Sequence, residues 1–240
     1  MRTTEKTNSI QKTARLAGVL YLILAVASGW AFMNISTLVV PGDAATTVSN
    51  LRQSEALFRL GILSDLFGQV VFIFLVLALY KLFKPVHKNQ ARLMVIFVVI
   101  SVVLQSISLL NQIAALIVLN GADYLTVFST AQLDALVLFF LNLHKAGFSV
   151  IAQIYFGLWL FPLGFLVYKS GFLPKIVGML LIIAGVGYLF DVAAFFMLPT
   201  LEVTVSGFTF IGELVLLLWL LIKGVNVEQW QMKTLEPARI

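Results

Sequence analysis

The sequence has no cysteine among its 240 residues and few charged residues of either sign. Without cysteine the chain can form neither disulfides nor thiolate metal sites, although this leaves its redox compartment open. Charged residues make up 11% of the chain and apolar residues 60%, and the mean hydropathy is +1.01. These values leave too few polar side chains to cover a soluble globular domain, so the composition excludes one.

Long apolar runs are what the sequence has instead. A helix needs about 20 apolar residues to cross the hydrocarbon core of a bilayer, and six runs qualify. We predict membrane-spanning helices at about Leu16 to Leu38, Phe58 to Tyr80, Leu93 to Leu119, Gly147 to Tyr168, Pro174 to Leu198 and Ser206 to Ile222. Unbroken runs rich in Leu, Ile and Phe favour helices over the alternating strands of a membrane barrel. The predicted fold class is all-α, an integral membrane bundle of six transmembrane helices that uses residues 1–240 as a single domain.

Basic residues predict the orientation, because short loops rich in Lys and Arg face the cytoplasm. Thirteen of the sixteen basic residues fall on one side, and the exceptions are Arg52, Arg59 and Lys145. We therefore predict a multi-pass protein of the plasma membrane with both termini in the cytoplasm and membrane lipids around it. The sequence pI near 9.5 reflects this topology. Because the positive charge is spread through short loops, nucleic-acid binding has no support.

Two short amphipathic helices are predicted on the outer side. Asp43 is a good N-cap for a helix that begins at about Ala44 and runs on into the second span. The segment from Leu133 to Leu143 supplies the other, because joined to the fourth span it exceeds the thickness of the bilayer. The fourth span is also a candidate for a kink, at Gly157, Pro162 and Gly164.

Polar and ionisable side chains inside the spans fall towards the outer end. An ionisable group near the bilayer centre costs about 2.5 to 3.5 kcal/mol on insertion scales, so several such groups indicate a shared polar interior. The candidate pocket residues are Arg59, Asp65, Gln69, Asn111, Gln112, His144, Lys145, Asp191 and Glu213. They predict an outward-opening cavity for a small or amphipathic molecule, with cationic groups at its rim and carboxylates on its walls.

A structural interpretation accounts for the same residues by pairing, so that the charges only fix helix register. In it Glu213 stays protonated and the two outer cations pair with aspartates: Arg59 with Asp65 or Asp134, and Lys145 with Asp191. Asp191 and Glu213 are the stronger functional candidates because no basic residue shares their segments. Arg59 and Lys145 can instead extend to the outer headgroups.

No motif for catalysis, a metal or a cofactor is present. The two histidines, His87 and His144, belong to no His-x-x-x-His or Glu-x-x-His pair, so no metal site is expected. No Gly-x-Ser-x-Gly turn presents a serine, and there is no Gly-rich phosphate loop. We therefore predict no catalytic residue and no cofactor.

Several strings resemble the prokaryotic family known as domain of unknown function 4386. They lie at residues 14–22, 41–46, 58–62 leading to Asp65, 79–86, 156–159 and 164–178. The resemblance covers most of the chain in order. It implies a multi-helix protein of bacterial or archaeal plasma membranes with no assigned activity or cofactor. It draws attention to Asp43, Arg59, Asp65, His144, Gly157 and Trp159, whereas Glu213 lies in a stretch without recognisable similarity.

Three functions compete. The leading one is binding or transport of a small or amphipathic molecule, in which carboxylates hold a cation or proton. The second is a membrane-embedded enzyme acting on a lipid or isoprenoid, with Asp65 or Asp191 as general base and His144 as its partner. The third is an accessory or structural subunit. The sequence ranks them in this order, and enzyme activity is not favoured.

Overall fold

The helices of this protein are joined by short turns. The computed structural model describes residues 2–198 and 204–235, with side chains from Ser9 onwards. Within those residues the regular structure is entirely helical, which confirms the all-α class. The α-helices in chain order are α1 (Arg2–Leu38), α2 (Ala44–Gln53), α3 (Glu55–Phe83), α4 (Lys88–Asn120), α5 (Thr130–Ala146), α6 (Gln153–Leu158), α7 (Leu160–Ser170), α8 (Lys175–Met197), α9 (Ser206–Thr209), α10 (Ile211–Ile222) and α11 (Val227–Leu235).

Five helical segments of the described chain are long and apolar enough to cross a membrane. They are Ser9–Leu38, Glu55–Phe83, Lys88–Asn120, Thr130–Ser170 and Lys175–Met197. The first five predicted spans lie within these segments, to within one residue at each end. Four of the segments, all but Thr130–Ser170, are uninterrupted α-helices, and Leu, Ile, Val and Phe supply their apolar surface.

The sixth predicted span, Ser206 to Ile222, is interrupted in the structure. A turn at Phe210 separates α9 from α10, and Gly224, with φ of 71°, redirects the chain after α10. The axis of α11 then departs by 99°. The 4 residues of α9 and the 12 residues of α10 together rise about 24 Å, less than the hydrocarbon thickness of about 30 Å. The described chain therefore has five candidate spans, or six if α9, α10 and α11 together make one.

Large apolar side chains cover much of the exposed surface of these helices. On α4, for example, Val103, Ile107 and Leu110 are 52%, 56% and 60% exposed and lie on one helical face. Soluble monomers rarely expose contiguous apolar surface of this kind, whereas a lipid-facing helix requires it. The surface therefore agrees with the composition in indicating a membrane protein.

The fourth candidate span changes helix type along its length. After α5 the chain forms a π-helical turn at Gly147–Ala152, then α6, and α7 begins after a break at Trp159. Pro162, in the first turn of α7, has no N–H and therefore leaves the carbonyl of Leu158 without its i+4 donor. The predicted irregularity near Pro162 thus appears as the break between α6 and α7, while the π-helical turn has no counterpart in the sequence prediction.

Packing divides the described chain into two compact units. Unit I comprises the chain up to Ile23, Val71–Val102 and the chain from Gln153 onwards. Unit II comprises Leu24–Val70 and Val103–Ala152. The two units are described separately.

In unit I, paired glycines bring the backbones of neighbouring helices into contact. A Cβ placed on Gly164 of α7 would lie 2.7 Å from the carbonyl oxygen of Gly178 on α8. One placed on Gly157 of α6 would lie 3.0 Å from the carbonyl oxygen of Gly185. The glycines are seven residues apart on each side and pair in opposite order, as antiparallel packing requires. This spacing explains four of the chain's glycines by packing alone.

In unit II, the ends of several helices close over an apolar cluster. Its fully buried members include Leu51 of α2, Phe58 of α3 and Ala115 of α4. The predicted helix from Ala44 is confirmed as α2, and its predicted N-cap is confirmed because Asp43 Oδ1 accepts a hydrogen bond of 2.9 Å from the backbone of Thr46. A capping box formed by Ser129 and Gln132 starts α5 in the same way.

Candidate functional site

The nine predicted pocket residues fall in both units. Seven lie in unit II: Arg59, Asp65, Gln69, Asn111, Gln112, His144 and Lys145. Asp191 and Glu213 lie in unit I. We describe each group within its own unit.

In unit II, α4 turns a polar face inward. Gln105, Ser108 and Gln112 are only 7%, 4% and 2% exposed and follow one another at three and four residues, so they share a face. The apolar side chains at 103, 107 and 110 lie on the opposite face, which is exposed. This is the reverse of a soluble amphipathic helix, in which the polar face is the exposed one. Buried polar groups of this kind need hydrogen-bond partners.

Gln69 of α3 meets α4 at a hydrogen bond that satisfies only part of its amide. The hydroxyl of Ser106 donates to Gln69 Oε1 at 2.6 Å, but Gln69 Nε2 is buried with no partner. Exchanging the amide oxygen and nitrogen would only transfer the deficit to the oxygen, because Ser106 contacts one of the two atoms. Gln69 is 4% exposed. One polar atom of its amide is therefore unsatisfied in either orientation.

Gln112 of α4 also has one buried polar atom without a hydrogen-bond partner, in this case an acceptor. Its Oε1 is buried and accepts no hydrogen bond, and the residue is 2% exposed. A buried donor or acceptor without a partner costs about 1 to 3 kcal/mol. Unit II thus holds a buried amide of α3 and a buried amide of α4, each with one polar atom that lacks a partner within the described chain. A polar ligand is one kind of molecule that would satisfy both.

Asp65 lies one turn before Gln69 on α3 and contacts α1. Its carboxyl forms a hydrogen bond with the hydroxyl of Ser28, and the neighbouring Ser64 donates to the carbonyl of Ala27 at 2.9 Å. Gly68 permits this approach, because a Cβ there would lie 2.7 Å from the Ser28 oxygen. Asp65 is half-buried and has no basic residue within ion-pair distance among the described residues.

His144 of α5 is held against α4 through Ser108. Its Nδ1 lies 3.1 Å from the carbonyl oxygen of Ser108, to which a protonated Nδ1 donates, and 3.2 Å from the Ser108 hydroxyl, which can donate to Nδ1 in the other tautomer. The hydroxyl of Ser108 also lies 2.9 Å from the backbone oxygen of His144, to which it donates. No described residue hydrogen bonds to Nε2, which is an acceptor when the proton is on Nδ1. The π-helical turn begins three residues later, at Gly147, whose lack of a side chain makes room for the Ser108 hydroxyl.

The remaining predicted residues of unit II have ordinary roles. Arg59 pairs with Glu55 within α3 at 2.6 Å, and not with either aspartate that the structural interpretation assigned to it. Lys145 is exposed, and Asn111 donates to the carbonyl of Ser108 on its own helix. None of these three side chains forms a hydrogen bond to the amide of Gln69 or Gln112.

In unit I, Glu213 of α10 is held by two tyrosines from two other helices. Tyr21 of α1 donates to Oε2 at 2.6 Å, and Tyr188 of α8 donates to Oε1 at 2.9 Å. Hydrogen bonds to a charged acceptor contribute about 1.5 to 3 kcal/mol each, whereas a charge in a spanning helix costs about 2.5 to 3.5 kcal/mol. The two phenols therefore offset much of the cost of the carboxylate.

A series of aromatic contacts extends from Tyr21 away from this carboxylate. The ring of Tyr21 packs 6.3 Å from that of Trp159, and Trp159 meets Phe72 edge to face at 5.2 Å. Trp159 is only 2% exposed. Among the described residues no Lys or Arg lies within ion-pair distance of Glu213.

Asp191, the other candidate of unit I, is engaged by backbone groups. Its Oδ1 accepts from the N–H of Val205 at 2.6 Å, and its Oδ2 accepts from the N–H of Ser206 at 2.9 Å. Both oxygens thereby anchor the start of α9 to α8. This satisfies the carboxylate without any ligand.

Sequence reasoning missed the partners of these residues more than the residues themselves. Tyr21, Tyr188, Ser106 and Ser108 were not among the predicted pocket residues. The spacing of Gln105, Ser108 and Gln112 is a signal that could have identified the buried face of α4. No comparable local signal links either tyrosine to Glu213, which is 192 residues from Tyr21 and 25 from Tyr188.

Among the described side chains, at residues 9–198 and 204–235, no group of three or more His, Asp or Glu residues is arranged to hold a metal ion.

Comparison with known proteins identifies relatives without an assigned activity. The family model described as domain of unknown function (DUF4386) matches residues 16–224. An uncharacterised protein of Archaeoglobus fulgidus is 34% identical over 154 residues, which are 63% of this chain and 76% of the relative. No solved structure matches the chain.

Proposed function

The chain belongs to the DUF4386 family, and from that premise we propose that it is a multi-pass membrane protein that binds a small or amphipathic molecule through the polar side chains of unit II. The observation that carries the proposal is the pair of buried amides. Gln69 offers a hydrogen-bond donor and Gln112 an acceptor, neither with a protein partner. Retaining two such groups costs stability, and a bound polar group would recover that cost.

The chemistry of the surrounding residues narrows the ligand. A hydroxyl, a primary amide or a protonated amine can meet a donor or an acceptor of the site, and Asp65 would favour a cationic group. Nε2 of His144 adds a further acceptor. The apolar remainder of an amphipathic ligand would suit the hydrocarbon that surrounds the helices.

The direction of access follows from the charge distribution. If the loops rich in Lys and Arg face the cytoplasm, the unit II residues lie towards the outer surface of a bacterial or archaeal plasma membrane. The proposal therefore includes an opening to the outside and, as its extension, transport of the bound molecule.

Ligand binding is tested with buried and exposed glutamines side by side. The protein, reconstituted in lipid nanodiscs, is screened by thermal unfolding against membrane-soluble alcohols, amides and amines. We expect one of these classes to raise the Tm of the wild type and of the control variant Gln53→Leu, whose glutamine is exposed on α2. The same compounds should have no effect on Gln69→Leu or Gln112→Leu. If both buried variants respond like the wild type, the amides are not the binding groups.

Access from outside is tested by single cysteines in this cysteine-free chain. A cysteine at Asp65 should react with a membrane-impermeant maleimide added to intact cells, as should a control at the exposed Asp123. Reaction at Asp123 together with protection at Asp65 would exclude an outward opening. Protection of both positions would reverse the proposed orientation.

A second candidate function is catalysis on a lipid, and one observation favours it. With a proton on Nδ1 donated to the carbonyl of Ser108, Nε2 of His144 is free to act as a general base. This alternative is tested by comparing the lipid profiles of cells that overexpress the wild type or His144→Gln. Identical profiles would count against it.

A further inference from the structure

Glu213 is the one spanning carboxyl of unit I whose bonds come entirely from side chains of other helices. Each oxygen receives one phenol, from Tyr21 on α1 and from Tyr188 on α8. A phenolic O–H donates to a lone pair, so each oxygen of the ionised carboxylate has one donor. One group thereby joins three helices: α1, α8 and α10.

The charge of this carboxylate is not balanced by a cation. Among the described residues no Lys or Arg lies within ion-pair distance of Glu213. The other titratable groups that face it are Tyr21 and Tyr188. Asp191, one turn beyond Tyr188 on α8, faces Tyr188. Asp191 carries the same sign of charge and is already bound to two backbone N–H groups. Nothing in this surrounding compensates a negative charge except hydrogen bonding.

The same partners can also satisfy the neutral acid. A hydroxyl both donates and accepts, so if Glu213 takes a proton on Oε2, the phenol of Tyr21 can rotate and accept from it. The hydroxyl of Thr209, one turn before Glu213, is buried without a partner and lies against Gly187, where any side chain would overlap it. The Thr209 hydroxyl therefore lies beside Gly187, which directly precedes Tyr188. Each oxygen of Glu213 therefore faces a phenol that can serve as partner in either protonation state.

We propose that Glu213, Tyr21 and Tyr188 form a reversible proton-binding site within the membrane-spanning part of unit I. The carboxylate takes one proton from solution, and the site changes from one negative charge to neutral. The proton returns to solution when the site ionises, so charge and atoms balance without any other reactant. In the ionised state both tyrosines donate to Glu213, whereas in the neutral state one of them accepts, so the link between α10 and α1 or α8 changes with each proton. This site is independent of ligand binding by unit II.

Infrared difference spectroscopy tests the proposal on the full chain in lipid nanodiscs. The protein is titrated from acid to alkaline pH, and the carbonyl band of protonated carboxylic acids is followed. At acid pH the other carboxyls contribute carbonyl bands of their own, so the Glu213 component is isolated as the difference between the wild type and Glu213→Gln. We expect this component to be lost as the pH rises and to be retained in Glu228→Gln, whose carboxyl is exposed on α11. If the wild type and Glu213→Gln give the same carbonyl bands at every pH, the proposal is overturned.

The tyrosines supply a second measurement that retains the carboxyl. Tyr21→Phe and Tyr188→Phe each remove a donor from the ionised form, so the midpoint of the band should move to higher pH by about one unit or more. This second measurement can be made even if Glu213→Gln does not fold. Midpoints equal to that of the wild type in both variants would show that the phenols do not share the proton equilibrium, and the proposal would fail.

Discussion

Replacing Gln112 by leucine should make the protein more stable while removing ligand binding. The Oε1 atom of Gln112 is buried and accepts no hydrogen bond, and the residue is only 2% exposed. Most substitutions of buried residues destabilise a protein, so the predicted sign is unusual. It follows because the wild-type side chain carries a polar atom that folding removes from its hydrogen-bond partners without a replacement.

The size of the effect follows from the cost of that atom. An unsatisfied buried acceptor costs about 1 to 3 kcal/mol, and leucine removes the acceptor while keeping a side chain of similar size. For a chain of about this length, 1 kcal/mol shifts Tm by about 2 to 4 °C. We therefore expect Gln112→Leu to raise the Tm of the ligand-free protein by several degrees. Gln53→Leu, on an exposed position of α2, should change it little.

The assay is thermal unfolding in nanodiscs, followed by the intrinsic tryptophan fluorescence, with and without the compounds that stabilise the wild type. In the presence of such a compound the order should reverse, because only the wild type gains binding energy. A Gln112→Leu protein less stable than the wild type without ligand would refute the reasoning. It would mean that the amide contributes net stability through its own bonds, and Gln112 would then be a structural residue.

Three other predictions concern packing, capping and the link to α4. Gly178→Ala should destabilise the protein by about 1 to 3 kcal/mol, because its Cβ would lie 2.6 Å from the carbonyl oxygen of Gly164. Gly29→Ala is the control, since a Cβ there has nothing within 4 Å, and it should be neutral or stabilising. Equal Tm values for the two variants would contradict the close packing. Hydrogen bonds from the side chain and backbone of Thr46 lower the pKa of Asp43, so its stabilisation of α2 is fully present above the ordinary pKa of about 3.9 and is lost as the pH falls through the lowered value. The Tm difference between wild type and Asp43→Asn should accordingly shrink in acid, and a difference independent of pH would contradict this. Ser108→Ala should lower stability by about 1 kcal/mol or more, measured as Tm, because it removes the donor to the backbone of His144; an unchanged Tm would argue against that link.

The fold was predictable where its cause is local and repeated. Apolar runs of sufficient length identify a spanning helix whatever it packs against, so the first five spans agree with the structure. Asp43 could be identified as an N-cap because a cap is satisfied within three residues of sequence. The sixth span was harder, because the break at Phe210 and the turn at Gly224 interrupt a segment whose apolar composition is continuous.

The candidate site was predictable as a set of residue types but not as a set of partners. Asp65, Gln69, Gln112 and Glu213 are identifiable because polar groups in apolar runs are costly. Asp191 was ranked with Glu213 on the same ground, yet its oxygens bind the backbone at Val205 and Ser206. The distinction between a carboxyl that anchors a helix and one that is shared by two phenols depends on contacts between distant segments.

The sequence by itself therefore determined that this is a helical membrane protein, where its spans lie and which residues are costly to bury. These properties depend on single segments, because the length and apolar composition of each segment decide whether it can span a bilayer. Only the tertiary structure decided that two amides of unit II lack partners and that Tyr21 and Tyr188 share Glu213. Hydrogen bonding between helices depends on their packing, and side chains far apart in the sequence carry no local signal of meeting.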